Sequence, residues 1–205
     1  MITMKDFSKL TKNLEHFGYT VRAFSTAEEA NLYLTEAIQN RSVGFGGSKT
    51  LEAMGLLDLL SARNDVYWHW YPRENIGRAE TLKKASEAEI YISSVNAIAE
   101  TGEIINIDGT GNRVAAISHG HEKVYLIVGE NKIAPTFEEA LYRARNVAAA
   151  LNAQRLGVDT PCAINGDKCY DCDRPHRICR NLSVLWRKPA GAEYEVILIH
   201  EPMGY

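Results

Sequence analysis

No cysteine occurs before residue 162 or after residue 179. Thiols therefore take no part in packing most of the chain, and disulfides stapling distant segments are excluded. Long apolar runs are missing too, since nothing approaches the roughly 20 residues of a membrane-spanning helix. The opening stretch, MITMKDFSKLTKNLEHF, is amphipathic and charged and lacks the apolar centre of a secretory signal. No basic run stands out, and a formal net charge of −3 gives nucleic acid little to recognise. Repeats and low-complexity tracts are absent as well. These absences lead to the expectation of a soluble, cytoplasmic protein in which thiols stay reduced. The 205 residues, 45% of them hydrophobic, suffice for one sizeable core, so a single domain over 1–205 is expected.

Helical and strand patterns alternate along the chain. Phe7, Leu10, Leu14 and Phe17 recur at helical spacing and Gly18 closes that segment. Tyr19 to Phe24 has strand character. Thr26 and Glu29 form a capping box for a helix to about Gln39. Ser42 to Phe45 predicts a strand, followed by Gly46-Gly47-Ser48 and a helix through Leu60. The run Val66 to Trp70 has the aromatic and β-branched content of a strand. A helix is expected over Arg78 to Ala88, and strands over Glu89 to Ser93, Glu103 to Ile107 and Lys123 to Val128. A turn or short helix falls at Arg113 to Ser118. Thr136 and Glu139 open a long helix with an apolar face, and Glu195 to His200 supplies a final strand. Such alternation argues for an α/β fold, a mainly parallel sheet with helices on both faces.

All four cysteines lie in one stretch, Cys162, Cys169, Cys172 and Cys179, with Cys-x6-Cys-x2-Cys-x6-Cys spacing. The segment is rich in Gly, Pro, Asn and Asp. It marks an insertion at about 157–181, too short to fold around a core of its own. Four thiolates match the valence of a tetrahedral metal or of a cubane cluster. Only Cys169 and Cys172 form the Cys-x2-Cys knuckle usual for structural zinc. The wide arms, with Lys168, Arg174, Arg177 and Arg180 to offset negative charge, favour [4Fe–4S], and zinc is the alternative. Disulfides or free thiols are the bland reading.

Two loops carry further candidate chemistry. Gly46, Gly47 and Ser48 join a strand to a helix, where glycines permit close backbone approach and unpaired N–H groups favour an anion. On spacing alone, a tight turn capped by Ser48 is the favoured reading, because the run is neither a full G-x-G-x-x-G nor a P-loop. The second loop holds Glu100, Thr101 and Gly102, with Asn112 and Arg113 following a short strand. Glu100 could act as base or nucleophile and Arg113 could hold an anionic group. The competing reading is a hairpin with Arg113 in solvent. The histidines weigh less: His69 suits a partly buried strand position, and His119 and His121 a solvated turn. His176 lies inside the cysteine loop.

Val43 to Ser48, Ile98 to Gly102, Gly111 to Arg113 and Lys123 to Gly129, in that order, resemble the LUD-domain family, named for lactate utilisation. The resemblance implies a fold related to ribose-5-phosphate isomerase, glucosamine-6-phosphate deaminase (NagB) and the coenzyme A transferases. In those relatives a loop like Gly46-Gly47-Ser48 binds phosphate or an acyl-CoA moiety. Some family members act in an iron–sulfur complex that oxidises lactate. The resemblance thus implies a small anionic metabolite as ligand and iron–sulfur redox proteins as partners; a homo-oligomer is compatible with the sequence, which does not set the subunit count. The four-cysteine motif resembles that of a subgroup rather than the minimal family pattern. An isomerase- or transferase-type enzyme using Glu100, and a non-catalytic sensor of iron or a metabolite, are the alternatives. The Glu100 loop and the Gly46-Gly47-Ser48 loop are expected to line one pocket, and the four sulfurs to converge.

Overall fold

The computed structural model describes residues 5–205, so residues 1–4 of the charged opening stretch lie outside the described residues. Leu10 and Leu14 anchor the first helix, α1 (Ser8–His16), and strand β1 (Thr20–Phe24) follows. Helix α2 (Ala27–Ala37) starts at Thr26, whose hydroxyl accepts from the Glu29 amide at 3.2 Å. After β2 (Ser42–Phe45), the expected single helix is two, α3 (Lys49–Ala53) and α4 (Leu56–Ser61). Gly55 separates them at φ +65°, a left-handed conformation that breaks the helical path. Then come β3 (Asp65–Trp68), α5 (Arg78–Glu87), β4 (Ile90–Ser94), β5 (Ala97–Ala99), β6 (Ile104–Asp108), α6 (Asn112–Ser118) and β7 (Lys123–Gly129). A 3-10 turn, Glu130–Lys132, leads to β8 (Ile133–Ala134). The long helix behind Thr136 is α7 (Phe137–Arg143) and α8 (Ala149–Leu156), continuous through a widened π segment, Ala144–Ala148. A short α9 (Pro161–Asn165) opens the cysteine segment, and β9 (Asn181–Leu185) and β10 (Glu193–Ile199) close the chain.

Six strands form a wholly parallel sheet in the order β1-β10-β7-β4-β2-β3. Alternate residues of its central strands are buried on opposite faces, which is why they read as unbroken apolar runs. Leu126, Val128, Val196 and Leu198 pack with Leu10 and Leu14 of α1 and Ile117 of α6. Ile127, Ile197 and Ile199 pack on the other side with Leu34 of α2, Leu51 of α3 and Leu56 of α4. Burial of each such side chain stabilises the fold by about 2 kcal/mol. Helices thus cover both faces, the α/β architecture expected from the alternation of patterns.

A second sheet was not legible in that alternation. It has four strands in the order β8-β5-β6-β9, with antiparallel β5/β6 and β6/β9 pairs and a parallel β5/β8 pair. The strand expected over Glu103 to Ile107 is present as β6, but it belongs to this small sheet. Small residues, Ala97, Ala99 and Ala134, meet Ala140 and Ala144 of the long helix and let its backbone come close. The cysteine segment therefore runs into β9, at the edge of the small sheet, before the chain reaches the last strand.

Candidate anion-binding cavity and cysteine loop

The strand order reverses at β2, because β3 lies on one side of it and β4 on the other. Ligands of open parallel sheets gather at the carboxyl ends of strands where such a reversal occurs. A cavity of about 770 Å³ lies there, with Gly47 and Ser48 after β2, His69 and Trp70 after β3, Ser94 to Asn96 after β4, and Lys132 after β7. Asn152 and Arg155 of α8 form one side, and His176, Arg177, Ile178 and Arg180 of the cysteine loop form another.

The glycines at the rim are explained by close approach. A Cβ on Gly46 would lie 2.6 Å from Ser93 Oγ, and one on Gly47 would lie 2.8 Å from Trp70 Nε1. Neither gap admits a side chain. Ser48 caps α3, its hydroxyl accepting from the Leu51 amide at 3.3 Å.

Asp108 organises the loop beyond β6. One carboxylate oxygen accepts from the amides of Thr110 and Gly111 at 3.0 and 2.9 Å, and the other from those of Arg113 and Val114 at 3.2 and 3.3 Å. Arg113 is largely enclosed rather than solvated, its side chain 13% exposed. Its guanidinium donates to Asn106 Oδ1 at 2.9 Å, Asn96 Oδ1 at 3.0 Å, the Ile107 carbonyl at 2.6 Å and the Ser94 carbonyl at 3.3 Å. Those bonds tie the ends of β4 and β6 together under the cavity, so Arg113 reaches the lining with its donors already engaged by protein.

Lys132 sits deeper. Its side chain is buried, with Nζ donating to Thr50 Oγ1 and Ser94 Oγ, each at 2.8 Å. Burial, reinforced by Arg143 and Arg113, pulls its pKa down to about 7. His69 is also buried and neutral: burial and then Arg78 push its pKa to about 4, with Asp108 opposing.

Seven Lys or Arg residues line the cavity (Lys49, Arg78, Arg113, Lys132, Arg155, Arg177 and Arg180) against two carboxylates, Glu52 and Asp108. Both carboxylates are engaged, Glu52 by Lys49 and Tyr71, and Asp108 by backbone amides. The field inside is positive, and a concave wall of one sign draws in counter-charge.

The structure separates the two loops expected to share a pocket. Gly47, Ser48, Asn112 and Arg113 line the cavity, and Gly46 packs directly behind it. Glu100, Thr101 and Gly102 do not reach it; they form the turn between β5 and β6. The Glu100 carboxylate pairs with Lys9 at 3.1 Å, and its carbonyl accepts from Asn13 at 2.6 Å. Thr101 bonds Glu103, and Gly102, at φ +110°, lies against the Phe17 ring. Because β5 and β6 are antiparallel, this turn lies against α1, and the carboxyl-end rule for parallel strands does not govern it.

The cysteine loop is fastened to both the long helix and the cavity. The Cys169 amide donates to Asn146 Oδ1 at 3.1 Å, and Arg145 reaches Cys169 Sγ at 3.7 Å and Asp171 Oδ1 at 3.1 Å. Asn146 and Arg145 lie in the π segment. The Arg180 amide donates to the Asp108 carbonyl at 3.0 Å, and Gly109 packs on the Ile178 carbonyl. All four cysteines are free and partly buried. Among the described residues no three Cys, His, Asp or Glu side chains form a group placed to hold a metal ion, so the expected convergence of Cys162, Cys169, Cys172 and Cys179 is not found. The anchors differ: Cys162 lies in α9 with Thr160 Oγ1 at 3.3 Å, whereas Cys169 faces Arg145 on the long helix. The donor set nevertheless suits a thiolate-ligated group. Its four sulfurs are uncommitted to disulfides, the Asp171 amide points at Cys169 Sγ at 3.4 Å, and Arg177 takes up interactions with Cys179 and Cys172.

Lys132, Asn96 and Arg155 were not singled out from sequence. The available signal for Lys132 was a charged residue between a fully apolar strand and the Ile133-Ala134 pair, just beyond a strand's carboxyl end. His121, expected in a solvated turn, is buried, with its ring stacked on Tyr91 and its Nδ1 at 2.6 Å from the Ala88 carbonyl.

The sequence profile of the LUD domain matches residues 7–199, and the chain belongs to that family. A crystal structure of a DUF162 family protein from Deinococcus radiodurans superposes with a TM-score of 0.54 at 17% identity, covering 93% of this chain and 94% of that one. At such identity the likeness is one of fold. Ribose 5-phosphate isomerase from Plasmodium falciparum aligns over 53% of this chain and 52% of its own, with 18% identity and a TM-score of 0.35. The search of curated proteins returns no match. Among the described residues no helix is long and apolar enough to cross a membrane.

Proposed function

We propose that this LUD-family protein binds a small anionic organic metabolite, an organic acid or a phosphorylated or CoA-linked compound, in the cavity at the carboxyl end of the parallel sheet. The observation that carries the reading is the imbalance of charge. Arg78, Arg155, Arg177 and Arg180 surround the space, while both carboxylates in the lining are engaged by other partners. Guanidinium groups are suited to carboxylate and phosphate by planar geometry as well as charge.

The same reading gives Cys162, Cys169, Cys172 and Cys179 a metal-holding role, with [4Fe–4S] favoured and zinc the alternative, in a cytoplasmic setting. Bound there, an iron–sulfur cluster would supply one-electron redox chemistry and link the protein to iron–sulfur partners in organic-acid utilisation. The chain's own part is to present four thiols and the neighbouring cations Arg145 and Arg177. The loop between Lys168 and Cys179 would have to draw the sulfurs together on loading. An isomerase- or transferase-type reaction centred on Glu100 has less support, because Glu100 is held by Lys9 and Asn13 away from the cavity.

Anaerobic purification followed by iron, sulfide and zinc analysis tests the cysteine role. Stoichiometric iron and sulfide support the cluster, one zinc per chain supports the alternative, and neither metal refutes the site. Thermal-shift titration with lactate, pyruvate, phosphate and coenzyme A tests the cavity.

A further inference from the structure

We infer that Lys132 is a nucleophilic amine that condenses with the carbonyl group of an anionic aldehyde or ketone held in the cavity. This deepens the anion-binding reading and rests on it. The hydrogen-bond arrangement around Nζ supports this role. Thr50 Oγ1 and Ser94 Oγ each lie 2.8 Å from it. Both hydroxyl hydrogens are committed elsewhere, that of Thr50 to the Met203 carbonyl at 3.1 Å and that of Ser94 to the Ile127 carbonyl at 2.6 Å. The two oxygens can therefore only accept from Lys132. A neutral amine has two N–H donors and one lone pair, and two acceptors satisfy it. An ammonium would carry a third N–H, and among the described residues no further acceptor or carboxylate partners it.

The charges around Lys132 point the same way. Arg143, bonded to the carbonyls of Asn131 and Asn96, and Arg113 are the cations that face it. Desolvation and neighbouring positive charge are the two means by which proteins free a lysine lone pair near neutral pH. Lys132 itself lines the cavity at the carboxyl end of the sheet, and Arg155 and Arg180 at its sides can hold the anionic group of a ligand. A lysine serving only to pin Met203 would need none of this. Thr50 already makes that bond.

The step balances without a co-reactant. The lone pair attacks the carbonyl carbon, and one amine proton moves to the carbonyl oxygen, giving a carbinolamine. The carbon–oxygen bond then breaks, the second amine proton leaves with that oxygen as water, and a carbon–nitrogen double bond remains. The Thr50 and Ser94 oxygens hold the amine in place for the attack.

The test is reductive trapping on the full chain at pH 7 with pyruvate or glyoxylate and sodium cyanoborohydride, followed by peptide mapping. Lys132 should be alkylated on the order of a hundredfold faster than exposed lysines, since most of their amines are protonated at that pH. Lys132→Met should lose the adduct while its melting temperature shows that the fold persists. Where that variant fails to fold, Thr50→Val combined with Ser94→Ala in the wild-type lysine background should slow labelling at Lys132 alone. Labelling of Lys132 no faster than that of surface lysines overturns the inference. If pyruvate still raises the melting temperature in that case, the anion cavity survives and only the amine chemistry falls. If pyruvate and phosphate both leave melting unchanged, the cavity reading falls with it.

Discussion

Arg177 donates to the carbonyl oxygen of Cys172 at 2.7 Å while also lining the cavity, so one side chain belongs to both the cysteine loop and the anion site. The loop's other ties, from the Arg180 amide to Asp108 and from Ile178 onto Gly109, brace the same wall. Changes at the cysteines should therefore be felt by the anion.

The double variant Cys169→Ser, Cys172→Ser should lose bound metal and also weaken anion binding, by about three- to tenfold if one guanidinium contact worth roughly 1 kcal/mol is displaced. Calorimetric titration of wild type and variant with the same anion measures this. Metal removal that leaves anion affinity unchanged would make the loop an appendage.

The amino end of the parallel sheet depends on Glu195. Its buried carboxylate accepts from Arg22 at 2.9 Å, Tyr33 at 2.6 Å and Lys123 at 2.8 Å. Burial alone would raise its pKa, but bonds to Lys123 and Tyr33 outweigh that and the net shift is downward. Its contribution is therefore fully present above the ordinary carboxylate range and is lost as pH falls through the lowered value. Glu195→Ala should cost about 3 kcal/mol at neutral pH in urea unfolding, by stranding Lys123. A loss indistinguishable from that of a surface Glu→Ala variant would show the network to be unimportant.

His69 should make stability fall with pH in the same direction, here because the folded state holds the neutral ring rather than a charged group. Its folded pKa, about 4, lies below the unfolded value. Between the two values the unfolded chain binds a proton that the folded chain does not, so stability falls as pH falls. Going from pH 7 to pH 5 should cost roughly 2 kcal/mol from this group, and His69→Gln should flatten that slope. Unfolding curves at the two pH values give the comparison, and equal slopes for wild type and variant would contradict it.

Two glycines separate close approach from backbone conformation. An added Cβ on Gly44 would stand 2.2 Å from the Ala85 carbonyl of α5, whereas Gly55 has open space and φ +65°. Gly44→Ala should destabilise by about 3 kcal/mol, because a strand and a helix backbone must part. Gly55→Ala should cost only about 1 kcal/mol. Thermal unfolding ranks the pair, and the reverse order would contradict this reading of the interface.

The parts of the molecule that repeat a pattern could be seen before the structure. Val124 to Val128 and Val196 to Ile199 are apolar throughout because both sheet faces are covered, and Thr26 and Thr136 announce their helices by hydroxyl caps. The small sheet was hidden because β5 and β8 have three and two residues, too short for any period. Glu100 misled because a turn between antiparallel strands looks in sequence like a loop at the end of a parallel one. Whether Arg113 was enclosed or solvated could not be read until Asn96 and Asn106 are seen around it. Lys132 stood in the sequence only as an isolated charge, because the hydroxyls that surround it, Thr50 and Ser94, are 82 and 38 residues away.

The cavity between the sheet end and the cysteine loop is proposed to hold an anion. Calorimetric titration with lactate, pyruvate, phosphate and coenzyme A, at low and high ionic strength, tests it most directly when repeated on Arg155→Gln and Arg180→Gln. At least one anion should bind stoichiometrically, more weakly at high salt, and each variant should lose about tenfold in affinity, as expected for one charge-assisted bond of roughly 1.4 kcal/mol. Anion binding that is unaffected by both substitutions, or absent across the series, would contradict the assignment of this cavity.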